Sequence, residues 1–514
     1  MLNPLGLFNL LKINVKWILD GILASLYYKR VNTSGLLPVK GIQQITRSVF
    51  YYRGSGTRRR LRLMTEKIQN SPLSRRKVLK AGAAGTAFGV APMFFHSNAH
   101  AYLNEPKGSS VTLGFNVPQT GPYANEGADE LRAYELAVEH LNGGGDGGMM
   151  NTFSSKALKG NGILGKKVVY VTGDTQTKSD AARASAKSMI EKDGAIMITG
   201  GSSSGVAIAV QGLCQEAGVI FMAGLTHSND TTGKDKKANG FRHFFNGYMS
   251  GAALAPVLEK MYGSDRVAYH LTADYTWGWT QEESIAAATE GKGWKTVEKV
   301  RTPLASTDFS SYIAPVLNSG ADVLVLNHYG GNMVNSLTNA VEFGLRDKVV
   351  NGKNFEIVVP LYSRLMAQGA GTNVKGIFGS TNWHWSLQDE GSKAFVKSFG
   401  TKYGFPPSQA AHTTYVQTLL YADACERAGT FDPCGVAAAL EGYDFDGLGN
   451  GPTHYRADDH QCFKDVLVVK GKENPTTDFD LLEVVEVTPR AQVEYPADHP
   501  MFAGGDLGSC NSGA

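Results

Sequence analysis

From Val111 onward the chain alternates short apolar runs with longer amphipathic ones. Val111–Val117 reads as a buried strand. In Ala128–Leu141 the residues Leu131, Tyr134, Val138 and Leu141 recur at the spacing of one helix face. Strands follow at Val168–Thr172, Ala195–Thr199 and Val219–Ala223, with helices at Ser179–Lys192 and Val206–Glu216 between them. A second series opens with a helix from Gly251 to Met261. It continues through strand Val267–Leu271, helix Thr280–Glu290, strand Thr296–Val300, helix Phe309–Leu317, strand Val323–Asn327 and helix Met333–Phe343, and closes on strand Glu356–Val359. Strands separated by helices pack as parallel sheets with right-handed crossovers. Two such series predict an α/β protein with two doubly wound parallel-sheet lobes. Ligands in such sheets bind outside the carboxyl ends of the strands, so a cleft between two lobes joins two such ends.

Two stretches lack this rhythm. Residues 143–162, rich in Gly, Ser and Asn, read as an exposed insertion, and the tail after Arg490 carries Pro, Asp and Gly without periodicity. The irregular tail is assigned to 491–514.

The amino end shows where the protein is expected to work. Ser74-Arg75-Arg76-Lys77 is a twin-arginine pattern of the kind read by the Tat export machinery. The uncharged stretch Ala81–Phe95 is shorter than the roughly 20 residues a bilayer span needs. It ends in Ala99-His100-Ala101, the spacing that signal peptidase accepts. No cysteine stands at the cleavage point, so no lipid anchor is expected. Cleavage near Ala101 predicts a protein free in the periplasm from Tyr102. Residues 1–63 suit either a membrane-surface helix or untranslated sequence ahead of a start at Met64; the second reading is preferred, and residues 1–101 are set aside as leader.

Removing that leader reverses the charge. The first 101 residues hold 16 Lys and Arg against 2 Asp and Glu, which leaves 34 basic and 45 acidic residues, a net of −11. An acidic domain argues against nucleic acid as a partner. Of the five cysteines, Cys425, Cys434 and Cys462 lie close enough in sequence for one disulfide, and their spacing matches no metal site. There is no Walker motif, zinc-spaced histidine pair or dinucleotide fingerprint. The glycines of 143–148 follow a helix rather than a strand, the wrong order for cradling phosphate. No cofactor is expected.

Four segments carry a resemblance: Thr120-Gly121-Pro122-Tyr123-Ala124-Asn125-Glu126-Gly127, Gly200-Gly201-Ser202-Ser203-Ser204, Asp274-Tyr275-Thr276-Trp277-Gly278, and Arg456-Ala457-Asp458-Asp459-His460-Gln461. In that order, over about Ser109–Lys472, the chain resembles the type I periplasmic solute-binding proteins of the leucine/isoleucine/valine-binding family. The resemblance implies lobes built from discontinuous chain, with three hinge crossings near Asn246, Asn382 and Thr453. The first lobe would be 102–246 with 382–452, and the second 247–381 with 453–490. It also implies a monomer that delivers an amino acid, amide, urea or aromatic acid to an ABC permease.

The start of the helix after Gly200–Ser204 offers free amides and a favourable dipole to an anion. The resemblance gives Ser204 a ligand carboxylate, with Ser203 beside it, and Leu225, Thr226 and His227 further backbone and hydroxyl contacts. It gives Trp277 and Tyr329 the covering role from the second lobe, with Tyr275 and Tyr362 near them and Trp383 and Trp385 as further aromatics. Two positions depart from the pattern. Leu361 stands where an acid often meets the ligand's ammonium, and Glu126 stands where the first loop can carry an aromatic. Either Glu126 takes over the ammonium, or the ligand is not an ordinary α-amino acid.

Two other functions compete. Gly201-Ser202-Ser203-Ser204-Gly205 satisfies the G-x-S-x-G elbow of serine hydrolases, with Asp423 or Asp446 and His454 or His460 as partners for Ser203. No oxyanion motif precedes it, so a non-enzyme is preferred. A ligand sensor of the same fold, presenting its closed form to a membrane receptor, is the second alternative.

Overall fold

The computed structural model describes residues 102–513. The expected leader, its twin-arginine pair and the Met64 start lie outside the described residues.

Five strands make the first sheet: β1 (Ser110–Val117), β2 (Lys167–Asp174), β3 (Met197–Gly200), β4 (Ile220–Ala223) and β5 (Gly240–Arg242). They are parallel throughout, in the order β2-β1-β3-β4-β5. Helices α1 (Ala124–Leu141), α2 (Ser179–Glu191) and α3 (Ser204–Ala217) make the crossovers. All four residues of β3 and of β4 are buried, as expected of parallel strands covered on both faces. β2, at the edge, exposes half its length.

The second sheet begins after α4 (Gly247–Tyr262). Strand β6 (Val267–Ala273), helix α5 (Thr276–Glu290), strands β7 (Lys295–Thr302) and β8 (Val323–Asn327), helix α6 (Gly330–Glu342), strand β9 (Glu356–Leu361), helix α7 (Arg364–Ala370) and strand β10 (Phe378–Thr381) follow. The chain then returns to the first lobe as helices α8 (Glu390–Tyr403), α9 (Gln409–Ala428) and α10 (Pro433–Leu440). A small antiparallel sheet comes next: β11 (Asp444–Phe445), β12 (Thr453–Tyr455) and β13 (Cys462–Phe463). Strands β14 (Val466–Gly471) and β15 (Leu482–Thr488) complete the second sheet, in the order β15-β14-β10-β9-β8-β6-β7. Both pair antiparallel, so this sheet is not wholly parallel as the sequence predicts. Their connection, 472–481, is too short for a crossover helix, and a short link can join only antiparallel neighbours.

Each lobe has its own core, one gathering Phe115, Tyr134, Tyr415 and Leu419, the other Leu254, Leu271, Leu326 and Val358. The third passage between lobes falls later than the expected Thr453. Tyr455 and Cys462 are packed in the first core and Phe463 and Val466 in the second, so the chain crosses at Lys464–Asp465.

Two irregular segments are more anchored than the sequence suggests. Within 143–162, Met149 and Phe153 are fully buried against the first core, so this segment is not a wholly exposed insertion. The tail 491–514 has little helix, yet Tyr495 and Phe502 stack at 3.8 Å inside the second core. It then runs back to the first lobe, where Asn511 bonds the carbonyl of Gln215 and the side chain of Asn239. That return brings Cys510 to Cys434, with Cα atoms 5.5 Å apart; Cys425 and Cys462 are free and buried. The partner of Cys434 is therefore neither of the two cysteines nearest it in sequence.

Candidate functional site

The cleft side of the first lobe is set by two close approaches. In the turn from β3 to α3, Gly200 has φ +127°, and a Cβ there would lie 1.9 Å from the Asn116 carbonyl oxygen. Only glycine fits, and the turn delivers Ser203 to the start of α3 with its side chain making no cap bond. In the first turn of α1, a Cβ on Gly127 would lie 1.9 Å from the Pro118 carbonyl oxygen. This contact seats α1 against the end of β1.

Glu126, Glu130 and Tyr134 then recur every four residues along α1, with Asp129 beside them, and all three carboxylates are at most 2 % exposed. They have different partners. Asp129 accepts from Arg364 Nη2 of the second lobe at 3.3 Å and from the Ser408 amide at 3.0 Å. Glu130 accepts from the Ser202 hydroxyl and from the Leu225 amide at 3.4 Å. Glu126 has only its own amide. Burial, eased by that amide and aggravated by Asp129, pushes Glu126 up to about 7. Burial pushes Glu130 up to about 8 against the two hydrogen bonds it accepts.

The second lobe brings aromatic rings over this face. Tyr275 and Trp277 stand at the start of α5 and Tyr329 at the start of α6. Together with Tyr123 of the first lobe they close a circuit. Tyr123 meets Tyr329 edge-on at 5.6 Å, Tyr329 meets Trp277 at 6.2 Å and 74°, and Trp277 meets Tyr275 at 5.9 Å. The Tyr275 and Tyr123 hydroxyls hydrogen-bond at 2.8 Å. Trp277 is 2 % exposed, and its indole N–H has no partner. A separate cavity of about 430 Å³ opens between the lobes, lined by Asp129, Arg132, Arg364, Phe405 and Phe479 among others and by none of the circuit's rings.

Other expected residues sit around this centre in different ways. Ser204 Oγ accepts from the amides of His227 and Ser228, at 3.2 and 3.0 Å, which leaves its proton free to donate elsewhere. Thr226 Oγ1 donates to the Gly201 carbonyl at 2.9 Å, so that hydroxyl ties two loops together. Leu225 is buried and contributes its amide to Glu130.

His227 has both nitrogens occupied, Nδ1 by the Phe245 carbonyl at 2.7 Å and Nε2 by the Gln281 side chain at 2.9 Å. Burial holds this ring down at about 3, so it is neutral and carries one proton. Phe245 O can only accept, so the proton is on Nδ1 and Nε2 must receive a hydrogen from the Gln281 amide. That requires the amide nitrogen, which otherwise lacks a partner, to face the histidine. His227 is thus an interlobe latch.

Tyr362 is fully buried in the second-lobe core, packed against Gly379. Trp383 stacks on His412 at 4.5 Å and 3° at the second crossing rather than joining the circuit.

The serine-hydrolase partners are engaged elsewhere. His460 bonds the Gly240 carbonyl and Glu441, His454 pairs with Asp444, and Asp423 pairs with Arg427. Ser203 has none of them as a base. Sequence reading missed Tyr123, Asp129, Glu130, Gln281 and Arg364. The spacing of Glu126, Glu130 and Tyr134 was the available signal for Glu130, since it places both acids on the helix face that carries a core tyrosine.

Two α/β lobes closing on a polar and aromatic cleft define a solute-binding protein. A sequence profile described as "Periplasmic binding protein" matches residues 110–476, and the chain belongs to that family. Leu/Ile/Val-binding protein homolog 7 of Brucella suis biovar 1 is 24 % identical over 353 residues, which span 66 % of this chain and 83 % of that protein. A periplasmic binding protein from Burkholderia mallei superposes with a TM-score of 0.68 at 22 % identity, over 77 % of this chain and 99 % of that one. An amino acid ABC transporter substrate-binding protein from Pseudomonas fluorescens Pf-5 superposes with a TM-score of 0.67 at 23 % identity, over 78 % and 100 %.

Proposed function

We propose that this protein is the periplasmic solute-binding component of an ABC importer of the amino acid, amide or aromatic acid class. It captures its ligand without chemistry and presents the closed form to a permease. The observation that carries this reading is the cleft itself. One lobe offers an uncapped helix start at Ser203, the other an aromatic cover, and the two meet through Tyr123–Tyr275, His227–Gln281 and Asp129–Arg364.

Such contacts hold the two lobes together in the closed form. A ligand that bridges the lobes supplies the free energy that favours the closed state over the open one. Glu126, Ser203, Ser204, Tyr275, Trp277 and Tyr329 are the residues assigned to the ligand, with Leu225 acting through its amide. Thr226 and His227 shape the site from behind. The twin-arginine pattern and the Ala99-His100-Ala101 site support export and work in the periplasm.

Thermal unfolding of the purified protein against aliphatic amino acids, amides, urea and aromatic carboxylates tests the reading. A ligand at 100 times its Kd adds about 2.7 kcal/mol to the native state, a rise of a few degrees in melting temperature. A rise with one class supports capture. Turnover of any of them, or covalent labelling of Ser203 by an acyl-serine probe, would refute it.

A further inference from the structure

The rings of the circuit pack as part of the second core, but that packing does not account for Glu126, a buried acid whose one partner is its own amide. A protonated primary amine carries three donors and, sealed from water, needs about three acceptors. The acceptors around the circuit are mostly taken. The hydroxyls of Tyr123 and Tyr275 bond each other, that of Tyr329 accepts from the Gln409 amide at 3.5 Å, and both oxygens of Glu130 already accept hydrogen bonds, from the Ser202 hydroxyl and the Leu225 amide. Only Glu126 is free, and its negative charge is close enough to bear on the hydroxyls of both Tyr123 and Tyr329. One anion and several angled aromatic rings suit a cation that is broad, weakly hydrated and without N–H groups, since such ions bind ring faces within about 6 Å. The contacts of Tyr329 with Tyr123 and with Trp277, at 72° and 74°, build walls rather than a stack.

Resting on the solute-binding reading, we propose that the ligand carries a quaternary, N-methylated ammonium group, held among Tyr123, Tyr275, Trp277 and Tyr329 with Glu126 as its counter-charge. The indole N–H of Trp277, buried and without a partner, calls for an acceptor on the same molecule. The ligand is therefore a trimethylammonium compound that also bears a hydroxyl or carboxylate.

Thermal unfolding and titration calorimetry at pH 8 with choline, glycine betaine and carnitine test this. Each is measured beside the isostere in which carbon replaces the quaternary nitrogen, such as 3,3-dimethylbutan-1-ol for choline. Leucine and benzoate complete the set. The expected result is binding of at least one N-methylated compound, with its neutral isostere at least tenfold weaker. Tyr329→Leu and Glu126→Gln should each lose tenfold or more, and Tyr329→Phe should keep its affinity. The isostere comparison uses the unaltered protein and stands even where a variant folds poorly. Equal binding of the isostere overturns the proposal, because the circuit is then only an apolar wall. Binding of leucine or benzoate, with no N-methylated compound bound, overturns it and leaves the solute-binding reading intact. Binding of nothing in either this set or the earlier panel counts against both.

Discussion

The acidic face of α1 and the basic cluster at the crossings are both sealed from solvent, yet they differ in what can reach them. At the hinge Lys464 is 1 % exposed, and its ammonium donates to Nε2 of His243 at 3.1 Å. Nδ1 of that ring faces Cys462 Sγ at 3.4 Å. Burial lowers Lys464 to about 8, and the same burial, with Lys464 and His412 nearby, holds His243 well below its ordinary value. His243 precedes the first crossing, Trp383 follows the second, and Lys464 marks the third, so the cluster is locked among the segments that turn. Glu126 instead lies on the surface that parts when the lobes open. A buried charge in a cleft can be answered by a ligand. One inside a hinge can be answered only by its neighbours.

The largest expected effect comes from the cleft acid that the protein answers with a charge of its own. Arg364→Met leaves Asp129 with the Ser408 amide at 3.0 Å and the part-exposed Arg132 guanidinium at 3.4 Å. Removing one member of a buried pair costs about 3–5 kcal/mol when nothing else answers the charge, and Arg132 and the Ser408 amide bring the expected loss here to about 2–3 kcal/mol. Urea unfolding should show that loss, and adding Asp129→Asn should restore most of it. An Arg364→Met protein as stable as the parent would mean that the cleft tolerates unanswered acids generally, and the contrast with Glu126 would collapse.

Glu126→Gln should act in the opposite direction. A carboxyl raised from 4.5 to about 7 holds its proton more tightly folded than unfolded. The stability it contributes is therefore full below pH 4.5 and is lost as the pH climbs through 7. The shift corresponds to about 3 kcal/mol. With the lobes closed as in this structure, ligand-free Glu126→Gln should match the parent at pH 4.5 and gain on it up to pH 7, ending up to about 3 kcal/mol more stable in urea unfolding. His227, His270 and His328, buried and lowered to about 3, act in the opposite sense below pH 6.5 but cancel between the two proteins. A difference that does not change with pH would mean that Glu126 is answered by a group inside the protein.

These two residues also mark how far the sequence could be read. The lobes were legible because their strands and helices announce themselves locally: Val323–Asn327 by four apolar residues in a row, α1 by its periodicity. Glu126 was legible because it breaks a motif. Arg364 was not, because its partner lies 235 positions away and nothing in either neighbourhood specifies the other. The same reason hid Cys434–Cys510, 76 residues apart, whose meeting depends on where the tail returns. Strand β14 was not read at all, because the parallel series closes at Val359 and nothing near Val466 tells that the chain returns to pair antiparallel. His227 was visible as a polar residue in the right loop, but its two partners, which make it a latch, come from separate elements.

The smallest net effect is expected at the hinge, because two contributions oppose each other there. Lys464→Met removes a buried ammonium whose ordinary value of 10.5 has fallen to about 8, a burden of about 3 kcal/mol at neutral pH. It also strips His243 Nε2 of its donor, which costs about 1–3 kcal/mol for a buried acceptor. At pH 7 the variant should therefore lie between equal to the parent and about 2 kcal/mol above it. The pH dependence is the sharper readout. A lysine depressed on folding gives stability that is present above pH 10.5 and is lost as the pH falls through 8. The advantage of Lys464→Met should accordingly shrink by about 3 kcal/mol between pH 8 and 10.5, and buried tyrosines and cysteines cancel in the difference. If the advantage is constant across that range, Lys464 stays charged in the fold. The hinge would then hold an unanswered cation, as the cleft holds an unanswered anion, and the two clusters would differ only in sign.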